Sequence, residues 1–321
     1  MTQVPEVHSP AVRRLELGAV LRALRNATGL TVEQVAERLL CSPSKVSRME
    51  TGQGAAARDI RDLCDLYGVA DPAERDRLMS LAKEGKRPAR WQRYDLAYAR
   101  YAELEEEAVA ISAFQSSVVH GLLHTADYAR ANHESSSPRL DPHQIDLQIE
   151  AKLARQRILT QADPAQANPT QANPTQVDPP AFAVVLDEAA LHRMVGGRRV
   201  MAAQLDKILD MSALPNVTVQ VLPFELGAHP ALESNFTILQ LPRPTPGVVF
   251  VEGMIGSTYL DRPGDLKRYQ EIFGKLQSIA LNSKDTSDLI AKFLLLYKDD
   301  LDAQRDPIDF IPSAVSCALT G

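Results

Sequence analysis

The chain has 321 residues, 45% of them hydrophobic and 24% charged, and carries a net charge of −6. That length suits two domains that each bury a core, while the acidic balance excludes a protein that coats nucleic acid through bulk charge. No run reaches the roughly 18 apolar residues of a membrane helix, and the opening MTQVPEVHSP lacks the basic-then-apolar order of a secretion signal. A cytoplasmic protein with no membrane contact is expected. Cys41, Cys64 and Cys317 show no CxxC or Cys/His spacing, which points away from zinc or a disulfide framework.

Charge is unevenly placed. Between Ala11 and Arg61 stand nine basic and five acidic residues, a local balance of +4, so the remainder is strongly acidic. A basic module attached to an acidic body suggests a nucleic-acid reader. Residues 12–28 set Leu17, Val20, Leu21 and Leu24 at helical spacing, with Gly29 as a stop. Thr31 with Gln34 three positions on has the form of a capping box, and Val32, Val35, Ala36 and Leu39 make the apolar stripe of a second short helix. In SPSKVSRMETG, Ser42 is a natural cap and Pro43 fits the first helical position. A third helix begins there, with Val46 and Met49 inward and Ser44, Lys45, Ser47 and Arg48 outward. Two more helices are predicted over 57–66 and 73–82, the latter capped by Asp71 and Pro72. Five helices with a short turn between the second and third fit a helix-turn-helix domain over 11–82. The polar KEGKRPAR, 83–90, reads as a linker.

A second domain is predicted over 91–298. Trp91, Tyr94, Tyr98 and Tyr101, spaced three, four and three, read as the stripe of one helix packed on this domain, with Glu105, Glu106 and Glu107 as its solvated face. Residues 146–160 form an amphipathic helix. QADPAQANPTQANPTQVDPP, 161–180, has proline at every fifth position, which excludes helix and central strand; it is an exposed insertion. Short β-branched runs at 182–186, 217–222, 236–241 and 248–252 predict strands, with a helix over 198–213 between the first two and helices over 266–281 and 286–298 at the end. A tail, 299–321, follows. The expected fold is a mainly α helix-turn-helix domain plus an α+β domain, its small mixed or antiparallel sheet packed on helices.

Catalysis finds little support. Asp187, Glu188 and His192 lie close in sequence, and His120, His124, Asp127 and His229 are further titratable groups. HGLLH lacks the glutamate of HExxH, and no third ligand, nucleophile elbow or P-loop is present. No catalytic residue, metal or cofactor is expected: Asp187 and Glu188 read as caps of a helix after a strand, and the histidines as hydrogen-bonded parts of the fold.

LTVEQVAERLLCSPSKVSRMETG resembles the Xre/Cro type of repressor helix-turn-helix along its whole length. The resemblance implies binding to double-stranded DNA. It makes Ala36 the small residue where two helices cross and Val46 and Met49 the buried side of the reading helix. Arg25 and Glu50 fall where such repressors keep an internal ion pair. Pro43, Ser44 and Arg48 take positions that face base edges, and Ser42 and Lys45 positions near phosphates. Arginine reads guanine through O6 and N7, which singles out Arg48. Two positions depart from the pattern: Val32 stands where a phosphate-clasping Gln is usual, and Leu40 where the turn usually has Gly.

WQRYDLAYARYAELEEEAVAISAFQSSVVHGLLHTADYARA, VVLDEAALHRMVGG, LPNVTVQVLPFELGAHPAL and FTILQLP with VVFVEG resemble the second domain of WhiJ-like, antitoxin-like actinobacterial regulators, abundant in streptomycetes. The similarity covers nearly all of 91–295 outside the insertion. It implies a transcriptional regulator, a repressor, whose second domain receives a short partner protein, a small ligand or its own twin. The alternative is an antitoxin-like protein that mainly holds a short partner, with DNA binding as autoregulation. A single short reading helix covers few base pairs, so a homodimer on a two-fold site is expected.

Overall fold

Local chemistry starts each helix of the N-terminal part. In a computed structural model, which describes residues 8–302 apart from 89, 95–97, 137–140, 161–178, 246 and 254–255, Ser9 and Pro10 open α1 (Pro10–Ala27). Thr31 and Gln34 close the expected capping box on α2 (Val32–Arg38). Ser42 accepts from the Lys45 N–H at 3.2 Å and Pro43 opens α3 (Pro43–Glu50). α4 (Ala57–Leu66) and α5 (Pro72–Glu84, capped by Asp71) complete the domain. Its core is Leu17, Leu21, Val35, Ala36, Val46, Met49, Ile60, Leu63, Leu78 and Leu81. α5 runs to Glu84, so the linker expected at 83–90 begins inside its last turn.

The second domain contains α6 (Ala99–Glu106), β1 (Ala110–Gln115), α7 (Ala126–Ser136), α8 (Pro142–Gln156), β2 (Ala181–Asp187), the single turn α9 (Ala189–His192), α10 (Arg198–Ser212) and β3 (Val217–Leu222). Then come β4 (Phe236–Gln240), β5 (Val248–Glu252), β6 (Ser257–Leu260), α11 (Pro263–Ile279) and α12 (Ser283–Asp302). The strands form one mixed sheet in the order β3-β2-β1-β4-β5-β6. β1, β2 and β3 are parallel neighbours; β4, β5 and β6 add antiparallel pairs. A helical domain followed by an α+β domain is therefore the architecture. Period-two alternation sorts the sheet's side chains. Ile111, Ala113, Phe182, Val184, Val219 and Val221 meet α6, α10 and α12 on one face, while Phe114, Val185, Phe236, Ile238 and Val249 meet Phe273 and Leu276 of α11 on the other.

Several expectations need correction. β1, paired on both sides, is not among the expected strands: its AISAFQ has neither β-branched enrichment nor clean alternation, because a strand covered on both faces does not alternate. β6, on the edge, was likewise not expected. The aromatic stripe is not one helix, since Arg90–Tyr94 is a 3₁₀ turn and α6 starts at Ala99. Trp91 and Tyr94 are buried with Ala102 and Ala151, the indole donating to Glu106 at 2.9 Å and the phenol to Glu150 at 3.1 Å. Nor are the glutamates a solvated face. Glu105 is 0% exposed, Glu107 is buried, and Glu106 is half-buried. The tail expected from 299 begins inside α12, and residues 303–321, with Cys317, lie outside the described residues, as do 161–178 of the insertion. Cys41 and Cys64 are free thiols. Among the described residues no helix is long and apolar enough to cross a membrane.

Glu105 is paired with Arg155 of α8, whose Nε and Nη2 donate to its carboxylate at 2.6 and 2.8 Å, with the Tyr101 hydroxyl donating at 2.7 Å. Burial works against the Arg155 charge, yet the Glu105 carboxylate beside it raises the guanidinium above its ordinary value. The pair ties α6 to α8 beneath the sheet. Arg155→Met, which strands the carboxylate, should cost about 3–5 kcal/mol in denaturant unfolding. The double substitution Glu105→Leu/Arg155→Met should recover more than half of that loss, because the one stranded charge is then gone as well.

Candidate nucleic-acid interface

The reading surface is α3. Its buried side consists of Val46, Met49 and Glu50; Pro43, Ser44, Ser47 and Arg48 are exposed. Ala36, 2% exposed, lies in the same core. The turn before α3 keeps the left-handed conformation: Leu40 has φ 51° and a side chain almost wholly in solvent. A Cβ there costs about 1–2 kcal/mol, so the turn is preserved at a steric cost. Val32, in place of the usual Gln, packs half-buried against the domain core.

Three devices fix α3 at its C-terminal end. Arg25 of α1 donates from Nε and Nη2 to the Glu50 carboxylate at 2.6 and 3.0 Å, and this hydrogen bonding raises the guanidinium above its ordinary value. Arg22 donates to the Glu50 carbonyl at 2.7 Å. Gly18, in the middle of α1, lets the two backbones touch: a Cβ there would lie 2.7 Å from the Glu50 carbonyl oxygen and 2.9 Å from the Gly52 nitrogen. Sequence reasoning placed Arg25 and Glu50 but missed Gly18. The signal was available, because a mid-helix glycine costs about 0.5–1 kcal/mol relative to alanine and so calls for a packing reason.

The second domain joins this clamp. Arg22 also reaches both carboxylate oxygens of Asp261, just after β6, at 3.0 and 2.9 Å, and Arg100 of α6 donates to the Thr51 carbonyl at 2.8 Å. Two cations from different helices thus sit on the last carbonyls of α3, where the helix dipole favours them. Nearer the chain start, Glu103 accepts from the Ala11 N–H at 2.9 Å and lies 3.6 Å from Arg14, while Glu107 takes His8 at 2.8 Å and the Ser9 N–H. Ala11, Val12 and Leu15 of α1 pack in the sheet domain's core. None of these contacts was legible in the sequence, since each joins residues about 50 or more apart in the chain.

The outward residues differ in their freedom. The Arg48 guanidinium makes no hydrogen bond among the described residues, and the side chain is exposed. Lys45 does not project freely: its Nζ lies 2.6 Å from Asp59 of α4. The Ser42 hydroxyl is engaged in its cap. Beside α3 a hollow is lined by Arg14, Lys45, Arg48, Gln53 and Lys86, four cations around Asp59. This concentration of positive charge next to an exposed helix suits a phosphate backbone.

The remaining titratable residues fall in separate places. Asp187 caps α9 by accepting from Ala189 N–H at 2.8 Å and sits 3.4 Å from His229. Glu188 accepts from Phe224 N–H at 2.8 Å and is 3.1 Å from His192. These four meet at the end of β2, whereas His120 and His124 flank a 3₁₀ turn elsewhere and Asp127 stands in the first turn of α7. Among the described residues no three His, Cys, Asp or Glu side chains are grouped to hold a metal ion.

Comparison with known families matches residues 16–78 to a helix-turn-helix domain and residues 98–292 to a domain of unknown function, DUF5753. No curated protein and no solved structure matches the chain. The N-terminal match places α3 as the third helix of a helix-turn-helix, the element that enters the major groove in such domains.

Two substitutions test this geometry. Leu40→Gly relieves the left-handed strain but frees the unfolded chain, a net gain of about 0.5–1 kcal/mol that thermal unfolding will register as a raised midpoint. Asp59→Asn removes the ion pair that Lys45 must give up to meet a phosphate, so affinity for every DNA sequence should rise alike in gel shifts.

Proposed function

Because the chain belongs to the DUF5753 family and carries a helix-turn-helix domain ahead of that family's domain, we propose that it is a sequence-specific transcriptional regulator, a repressor that acts as a dimer and is controlled through its C-terminal domain. The observation that carries the reading is α3 itself: an eight-residue helix with a free arginine and an exposed Pro-Ser edge, clamped at its other end by Arg25, Arg22 and Gly18. A helix held that firmly presents its outer side chains in one geometry, which base reading requires. In this reading Arg48 reads a guanine with Pro43 and Ser44 beside it, and Ser42 and Lys45 meet phosphates once Lys45 leaves Asp59. The helix-turn-helix is of the Xre type and the whole chain is WhiJ-like, acting in the cytoplasm by binding and not by catalysis.

Dimerisation follows from the size of the reading head. One eight-residue helix touches only a few base pairs, and a two-fold site doubles both contacts and specificity.

A second reading, an antitoxin-like protein that mainly holds a short partner, is favoured by one surface feature. Phe224 is 54% exposed and stacks on His192, which also contacts Phe293 of α12, while Leu226 and Leu295 are exposed as well. Co-purification of a small protein at fixed stoichiometry, lost on Phe224→Ser, would favour that reading over a freestanding repressor.

Genome-wide DNA capture with the wild type beside the Ser44→Ala/Arg48→Ala double variant tests the main reading. Discrete palindromic peaks, lost in the variant, are expected; no peaks in either protein would defeat it. In gel shifts, Arg48→Ala should lose about 1–3 kcal/mol of operator preference with little change on random DNA. Lys45→Ala should weaken both alike and reduce the salt slope by about one. Equal losses on operator and random DNA for both variants would remove Arg48 from base reading.

A further inference from the structure

The sheet domain encloses a cavity of about 400 Å³ between the α6 and α8 side and the ends of β1, β4 and β5. That is the size of a small-molecule site. Its walls are half apolar, from Tyr98, Tyr101, Phe236 and Phe250, and half polar.

The charged residues of its lining are Lys152, Arg155 and Glu252. Arg155 is spent on Glu105. Lys152, one turn earlier on α8, is 8% exposed, lines the cavity, and has no hydrogen-bond or ion-pair partner among the described residues. Glu252, the carboxylate of the lining, is exposed at the rim and acts on Lys152 from beyond ion-pair distance. Around Lys152 stand three buried histidines. His124 donates from Nε2 to the Val119 carbonyl at 2.7 Å, which leaves its Nδ1 buried without a partner, and His133 Nε2 is likewise unpartnered. Burial lowers all three, His120 and His133 to about 4 and His124 well below its ordinary value, so at neutral pH they carry no charge. Burial lowers the ammonium of Lys152 to about 8, with the Glu252 and Glu105 charges acting against it, and among the described residues of the lining it is the lysine or arginine without an ion pair.

An ammonium taken largely out of water without a direct ion pair is costly and is ordinarily relieved by pairing or replacement. Such a cation at the wall of a hollow of ligand size makes a site that an anion from outside completes.

We propose that this cavity binds a small organic acid, its carboxylate on Lys152 Nζ and its planar or apolar body against Tyr98, Phe236 and Phe250. Occupancy reaches the DNA-reading helix through α6. That eight-residue helix presents Tyr101 to the cavity and, on its other side, Arg100 to the Thr51 carbonyl and Glu103 to α1. The coupling rests on the regulator reading; the binding site does not.

The test uses the full-length protein and calorimetric titration with benzoate, phenylacetate and 4-hydroxyphenylacetate, each beside its primary amide, in the absence of DNA. At least one acid should bind ten-fold or more tightly than its amide, and Lys152→Met should abolish that preference. The same variant should raise the melting midpoint, since it removes an unpaired charge; a lysine with a merely structural role would lower it. Acids that bind no better than amides, or a preference unchanged in Lys152→Met, would overturn the site. With an acid that binds, operator affinity should change at least five-fold in the wild type and not in Arg100→Ala; an unchanged wild-type affinity would overturn the coupling. Failure of the unliganded protein to bind any operator would tell against the regulator reading alone, because the titration without DNA is untouched by it.

Discussion

Everything that points outward from this molecule depends on α1. Its first turns place Ala11, Val12 and Leu15 in the core of the sheet domain, and its next turns place Leu17 and Leu21 in the helical core. One continuous helix therefore belongs to two hydrophobic cores, and a helix bends only at recognisable causes such as proline or a bulge. Gly18 falls just after this change of partners, where the helix meets the backbone at the end of α3. The orientation of the reading helix relative to the sheet domain is consequently fixed by side-chain packing. A flexible linker has no such role, which is why the polar segment after α5 matters less than its composition suggested.

Around that helix the charged residues act as ties between elements. Arg22 bridges the Glu50 carbonyl and Asp261, Arg100 reaches the Thr51 carbonyl, and Glu103 and Glu107 hold the first residues of α1. Each is buried or half-buried, so each is worth more than a surface pair and costs more to break. The acidic turn of α6, whose composition reads as a solvated face, is in fact where three helices are stitched together: Glu103 to α1, Glu105 to α8, Glu106 to the indole of Trp91.

The sequence was most legible where local chemistry decides. Thr31 with Gln34, Ser42 with Pro43, and Asp71 with Pro72 mark helix starts by satisfying N–H groups a few residues away, and the structure has those starts. The strands at the chain's second half were legible from their β-branched runs. β1 was not, because AISAFQ is a strand only by virtue of neighbours at 181–187 and 236–240, and its alanines and serine carry no strand preference of their own. The cavity was invisible for a related reason: Lys152 and Arg155 sit in an amphipathic helix and read as its wet face, while the carboxylate that neutralises one and the absence of one for the other depend on α6, some fifty residues earlier. Resemblance carried the reading helix; its attachment to the second domain needed three dimensions.

The double membership of α1 also bears on how such a protein can be taken apart. The helix-turn-helix match begins at residue 16, one position after Leu15, the last residue that α1 gives to the other core. The boundary by which a family is recognised thus cuts through the middle of a helix. A graft that exchanged reading heads at that point would carry α1's first two turns with the sheet domain and the rest with the newcomer. The two halves would have to continue one helical phase for both cores to close. In the proposed reading, specificity is therefore exchangeable on the surface of α3, residue by residue, far more readily than by exchange of whole domains.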